Sequence, residues 1–197
     1  MHTYLALGDS YTIGEQLPIY ESFPYQLVQQ LRKGKINVCA PDIVAKTGWT
    51  TDELIAGINN TELLYTYDFI TLLIGVNNQY RGQSIEEFAN HFTDLISVAK
   101  GMSGKTTCLI TLSIPDWGRT PFAEGKDREK ISQEIDAFNH ICREISTDHA
   151  IPFINITESY REDVSNPAFV APDGLHPSGK EYAKWVGEIW RAFDFED

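Results

Sequence analysis

Asp68-Phe69-Ile70-Thr71-Leu72-Leu73-Ile74 is the most continuous apolar run of the chain, and it stops abruptly at Gly75-Val76-Asn77-Asn78. A strand with one wet face alternates apolar and polar residues. This one does not, so both of its faces are covered, as at the centre of a parallel sheet with helices on either side. The polar break then marks the carboxyl end of that central strand.

Working outward, runs of the same kind occur at Tyr4 to Leu7, Asn37 to Ala45, Thr107 to Leu112 and Pro152 to Ile156. Helical periodicity fills the intervals. Ser22 caps a helix with Pro24 in its first turn and Leu27, Val28 and Leu31 on its stripe, and Gly34 ends it. Thr50 with Glu53, and Ser84 with Glu87, fit capping boxes ahead of two further helices. A long helix runs from about Asp127 to Thr147. After an irregular stretch, Ser178 and Glu181 cap a closing helix through Tyr182, Trp185, Ile189 and Phe193. Five strands separated by helices predict a doubly wound, three-layer α/β/α fold. Right-handed crossovers place helices on both faces, and the expected strand order of its parallel sheet is 2-1-3-4-5. With no repeat and no linker-like stretch, residues 1–197 are expected to form a single domain.

The 197 residues suffice for a proper core, since a chain of this size buries about 70% of its unfolded surface. A net charge of −12, from 16 basic and 28 acidic residues, repels phosphate backbones and anionic membranes and argues against a nucleic-acid partner. Cys39, Cys108 and Cys142 are scattered and lack metal-ligand spacing. The chain shows no leader-like stretch and no run long enough to span a bilayer. It is therefore expected to be cytoplasmic, without stable membrane insertion.

In a doubly wound sheet, ligands bind outside the carboxyl ends of the strands. Those ends carry Gly8-Asp9-Ser10, Gly48, Gly75-Val76-Asn77 and the loop from Ser113 to Trp117. Ser10, between a strand and a helix, is either a helix cap or a nucleophile. Serine attacks carbonyl carbon only when a base takes its proton, and that base needs a third group to fix its tautomer. Asp173-Gly174-Leu175-His176 can supply both, with the carboxylate reaching Nδ1 and Nε2 left to face Ser10. Gly48 can bring a backbone N–H close to a developing oxyanion and Asn77 can offer a side-chain NH₂. Each also fits a plainer reading, as a tight turn and as a loop or capping residue. Asp9 is read as fixing its own loop by accepting backbone N–H bonds. Tyr11, Ile13, Tyr80 and Trp117 are candidates for the substrate pocket.

Gly8-Asp9-Ser10, Gly48, Gly75-Val76-Asn77 and Asp173-Gly174-Leu175-His176 come in a fixed order over nearly the whole chain, which resembles the SGNH hydrolases, or GDSL esterases and lipases. The resemblance implies a flavodoxin-like fold, Ser10 as nucleophile, His176 as general base and Asp173 as its orienter. It maps the oxyanion hole onto the Ser10 and Gly48 N–H groups and the Asn77 side chain. The family's third block often reads Gly-x-Asn-Asp, and Asn78 stands here in its last place. That departure bears on substrate preference and adds Asn78 to the pocket candidates.

The expected activity is hydrolysis of short acyl or O-acetyl esters of small molecules through an acyl-enzyme, without metal or cofactor. The short insertions leave no room for a lid of the kind that shields lipase sites. Lysophospholipase or thioesterase activity is the alternative within the family. A nucleotide- or flavin-binding module, or a non-catalytic relative, is the alternative outside it. The first strand–helix loop lacks G-x-x-x-x-G-K-S/T and G-x-G-x-x-G and carries Asp9 and Glu15, which would repel phosphate.

Overall fold

The structure is a computed structural model that describes residues 1–192. The central run forms β3 (Tyr67–Leu73), flanked by β1 (Tyr4–Gly8) and β4 (Ser103–Leu112), with β2 (Asp42–Ala45) and β5 (Phe153–Ile154) at the edges. All the pairs are parallel and the order is β2-β1-β3-β4-β5, as the sequence predicts.

Helices α1 (Ser10–Ile13), α2 (Phe23–Lys33), α3 (Thr51–Asn59), α4 (Val76–Tyr80), α5 (Ile85–Gly101), α6 (Arg128–Asp148), α7 (Thr157–Asp163) and α8 (Gly179–Ala192) complete the layers. The path runs from β1 outward to β2 and then reverses. With right-handed crossovers, α2 lies on one face of the sheet and α3, α5 and α6 lie on the other. Accordingly α2 packs on α8, and α5 packs on both α3 and α6. Both faces of β3 are covered, and Ile70, Leu72 and Leu73 are fully buried. Two polar pairs inside the core satisfy each other: Tyr4 Oη with Thr71 Oγ1 at 2.9 Å and Thr111 Oγ1 with Ser146 Oγ at 2.7 Å.

Several local expectations are corrected. β2 occupies only the second half of its expected span, Asn37 to Ala45. Val38 makes an isolated bridge to His2, and Pro41, which has no N–H to give a ladder, separates that bridge from the strand. β5 is shorter than Pro152 to Ile156 and β4 starts earlier than Thr107. The irregular stretch after β5 contains α7. Ser22 stands at the N-cap of α2, but its hydroxyl donates to Ile19 O instead of capping. Glu181 turns inward and accepts from Trp185 Nε1 rather than closing a box with Ser178. Phe193, expected on the closing helix, lies outside the described residues.

β1 and β3 end level with each other, Gly8 opposite Leu73. A Cβ at Gly8 would lie 2.1 Å from Thr12 Oγ1 and 2.4 Å from Leu73 O. Only glycine lets the turn that follows fold back so tightly over the sheet edge.

Candidate active site

Ser10 is the first residue of α1, and Asp9 is the cap: its Oδ1 accepts the Tyr11 N–H at 3.0 Å. The capping duty is thus discharged by Asp9, which frees the Ser10 hydroxyl from that role. At the other end of the chain, Asp173 organises its own turn. Oδ1 accepts the N–H groups of Leu175 (2.9 Å) and His176 (3.0 Å), and Oδ2 lies 2.6 Å from His176 Nδ1. Burial pushes the Asp173 carboxyl up, but the bonds from the imidazole and the two backbone N–H groups outweigh it and hold it below the usual carboxylate range. Tyr160 Oη donates to Leu175 O, and the Phe122 N–H donates to Gly174 O, so the turn is fastened on both sides. The His176 ring rests against Tyr11 at 4.9 Å between centroids.

These two chain ends meet at one cleft of about 200 Å³, lined by Ser10, Tyr11, Thr47, Gly48, Val76, Asn77, Tyr80, Trp117, Phe122, Leu175 and His176. The structure therefore brings together Ser10, Gly48, Asn77 and His176 on the wall, with Asp173 behind His176. Gly48 has φ of +84°, a left-handed conformation that sets its peptide plane and that glycine adopts without strain. The Asn77 amide donates to Trp49 O at 3.0 Å and to Asp9 Oδ2 at 3.3 Å.

Of the pocket candidates, Tyr11, Tyr80 and Trp117 line the cleft, and Ile13 and Asn78 do not. Ile13 ends α1, where Gly14 turns the chain away. Asn78 is fully buried as a strut: Oδ1 accepts the Thr51 N–H, and Nδ2 donates to Thr51 Oγ1 at 2.7 Å and Gln83 Oε1 at 2.6 Å. Trp117 is 4% exposed, and its indole N–H donates to Gln79 Oε1 at 2.7 Å; Gln79 in turn donates to Glu134 on α6. Tyr80 and Phe122, 53% and 43% exposed, flank it at 5.2 and 6.1 Å between ring centroids. Thr47, Val76, Phe122 and Leu175 are wall residues that sequence reasoning missed. Val76 and Leu175 had a signal, their places inside the Gly75-to-Asn77 block and the Asp173-to-His176 turn.

Asp9 is wholly buried, and burial pushes its carboxyl up to about 7 against the bonds from Tyr11 and Asn77. A carboxyl whose folded value exceeds its unfolded one holds its proton more tightly when folded. The contribution of Asp9 to stability therefore falls as pH rises from about 4 to about 7 and levels off above, a loss on the order of 4 kcal/mol. Asp9→Asn lacks this titration. Its melting temperature relative to the parent is expected to rise steadily across that window. A difference that stays constant from pH 4.5 to 7.5 would show that Asp9 is not the titrating group.

Among the described residues, no helix is long and apolar enough to cross a membrane. The model of the GDSL-like Lipase/Acylhydrolase family matches residues 6–184. An arylesterase of Vibrio mimicus is 23% identical over 186 residues, covering 94% of this chain and 84% of that protein. Similar solved structures include a G-D-S-L family lipolytic protein from Veillonella parvula (TM-score 0.79, 16% identity, 98% of this chain and 99% of that one). The acetylxylan esterase Axe2 of Geobacillus stearothermophilus also matches (TM-score 0.77, 17% identity, 99% and 95%). With the family model spanning nearly the whole chain and the fold agreeing, the protein belongs to the GDSL-like lipase/acylhydrolase family and is a carboxylic ester hydrolase.

Proposed function

We propose that the protein is a serine esterase that works through an acyl-enzyme on small-molecule esters with short acyl groups, O-acetyl esters included. The observation that carries this reading is the 2.6 Å contact between Asp173 Oδ2 and His176 Nδ1 in a turn that shares one cleft with Ser10. The carboxylate holds the imidazole in the tautomer with its proton on Nδ1, and Nε2 is left free to act as base. Ser10 Oγ adds to the ester carbonyl and gives its proton to Nε2. The imidazolium passes that proton to the departing alkoxide, and the alcohol leaves. Water then repeats the cycle on the acyl-enzyme, with Nε2 again as base and Ser10 regaining the proton as the acid departs.

The N–H groups of Ser10 and Gly48 and the Asn77 amide receive the oxyanion. Donors of this kind are each worth about two to three orders of magnitude in rate. Both N–H bonds of Asn77 are occupied at rest, so one must change partner. The longer, to Asp9 at 3.3 Å, is the one to yield, while Trp49 O keeps the amide aimed. The small cleft supports short acyl groups over long ones. The acetylxylan esterase activity of a structural relative is in keeping with that choice.

The test is labelling with a fluorophosphonate followed by peptide mapping, together with a chain-length series of p-nitrophenyl esters. An adduct on Ser10 and fastest turnover of the shortest esters are expected. Folded protein that takes no label would overturn the mechanism, and a maximum at ten or more carbons would overturn the acyl preference.

A further inference from the structure

The loop after β2 is held at four consecutive residues by four different side chains. Thr47 Oγ1 donates to Glu15, the Gly48 carbonyl accepts from Arg81 Nη2, Trp49 O accepts from Asn77, and the Thr50 N–H donates to Glu53 Oε2 at 2.9 Å. Most of these ties are unsurprising for a loop between a strand and a capped helix. Arg81 is different, because it reaches both of the oxyanion donors that come from outside the Ser10 turn. Its backbone N–H donates to Asn77 O at 3.0 Å, closing α4, while its guanidinium bonds the Gly48 carbonyl. The same guanidinium is pinned by Glu53, at 3.3 Å from Nη1 to Oε1 and 3.2 Å from Nη2 to Oε2.

We infer that Arg81 is a positioning residue of the oxyanion hole, stapling the Gly48 turn to the helix that carries Asn77; this rests on the esterase reading above. The physical case is one of freedom removed. Glycine at φ of +84° has no side chain to restrict it, so its peptide planes are set by what grips their polar ends. Upstream, Thr47 is tied to Glu15. Downstream, the Gly48 carbonyl is tied to Arg81. The N–H that faces the oxyanion lies between these two anchors. An oxyanion hole works because its donors need no reorganisation at the moment of reaction. A Gly48 turn released on one side must be reordered in every cycle. Arg81 does not touch the reacting atoms, and a cationic fork suits a residue that must hold a carbonyl and a carboxylate at once.

Arg81→Ala is expected to lower kcat on p-nitrophenyl acetate by about 10- to 100-fold, less than deleting a donor outright, with KM close to the parent value. Affinity for phenylboronic acid, which adds to the serine as a tetrahedral anion, should fall by a similar factor. Arg81→Lys should recover part of the loss, since an ammonium can still donate to Gly48 O. Glu53→Gln should act in the same direction and cost little more when added to Arg81→Ala, because the two act as one unit. Since the Arg81 side chain is 46% exposed, its removal is not expected to threaten folding. The inference is overturned by a kcat within twofold of the parent, by a loss confined to KM, or by unaltered boronate affinity. Ser10→Ala separates the two levels. Turnover retained there removes the esterase reading and the inference together; turnover lost there, with Arg81→Ala unimpaired, removes the inference alone.

Discussion

Ser10→Ala is expected to lower kcat by about six orders of magnitude, His176→Ala to do the same, and the double variant to be no worse than either. The equality follows from the division of labour. A serine without its base is an alcohol of ordinary acidity, and a base without its serine has nothing to activate. The remaining rate, about three to four orders above the reaction in water, would come from binding and the oxyanion donors. Folding offers no competing explanation for the serine variant, because Asp9 and not Ser10 caps α1. Steady-state turnover of p-nitrophenyl acetate checks the prediction. A folded Ser10→Ala protein that keeps more than a hundredth of the parent activity, or a double variant far below both singles, would exclude the proposed pair.

Asp173→Asn is expected to cost about four orders of magnitude in kcat while leaving the fold intact. An asparagine keeps an oxygen for the Leu175 and His176 N–H groups, so the turn survives. What changes is the atom facing Nδ1. An amide NH₂ there donates instead of accepting, so the imidazole must take the tautomer with its proton on Nε2. That nitrogen then faces Ser10 as a donor and cannot collect a proton. Asp173→Ala should lose the orienting group and the turn bonds together, and so melt lower than the Asn variant. Kinetics and thermal unfolding of the two variants separate chemistry from architecture. Activity above a tenth of the parent in Asp173→Asn would mean that His176 is oriented by something else.

The layers and strand order were legible because β3 carries a strong signal, an apolar run too continuous for any half-exposed strand, and the capped helices around it are long and periodic. α7 was not legible. Its seven residues, Thr-Glu-Ser-Tyr-Arg-Glu-Asp, contain a single large apolar anchor, Tyr160, and one such residue makes no period. Its place is fixed by tertiary ties instead, through Arg161 to Asp116 at 2.8 Å and Tyr160 to the turn before His176.

The motif-bearing candidates could be listed because each stands at a strand end beside a glycine or in a tight turn. The pocket could not be sorted in the same way. Asn78 and Asn77 are adjacent amides, and only packing shows that one faces the cleft while the other ties two elements together. Arg81 carried no signal, since its role depends on a carbonyl 33 residues away in the chain.

The fastening of the Asp173 turn by Tyr160 and Phe122 also has a meaning in time. In chain order Asp9 and Ser10 come far ahead of the Asp173 turn, and segments nearer the N-terminus begin to fold first during synthesis. The proposed base and its orienter, His176 and Asp173, lie far downstream, and their turn is held by Tyr160 and Phe122, which bond Leu175 O and Gly174 O. On the mechanism proposed above, a growing chain would thus carry an idle Ser10 until the Asp173 turn has emerged and docked, and hydrolytic competence would wait on that step.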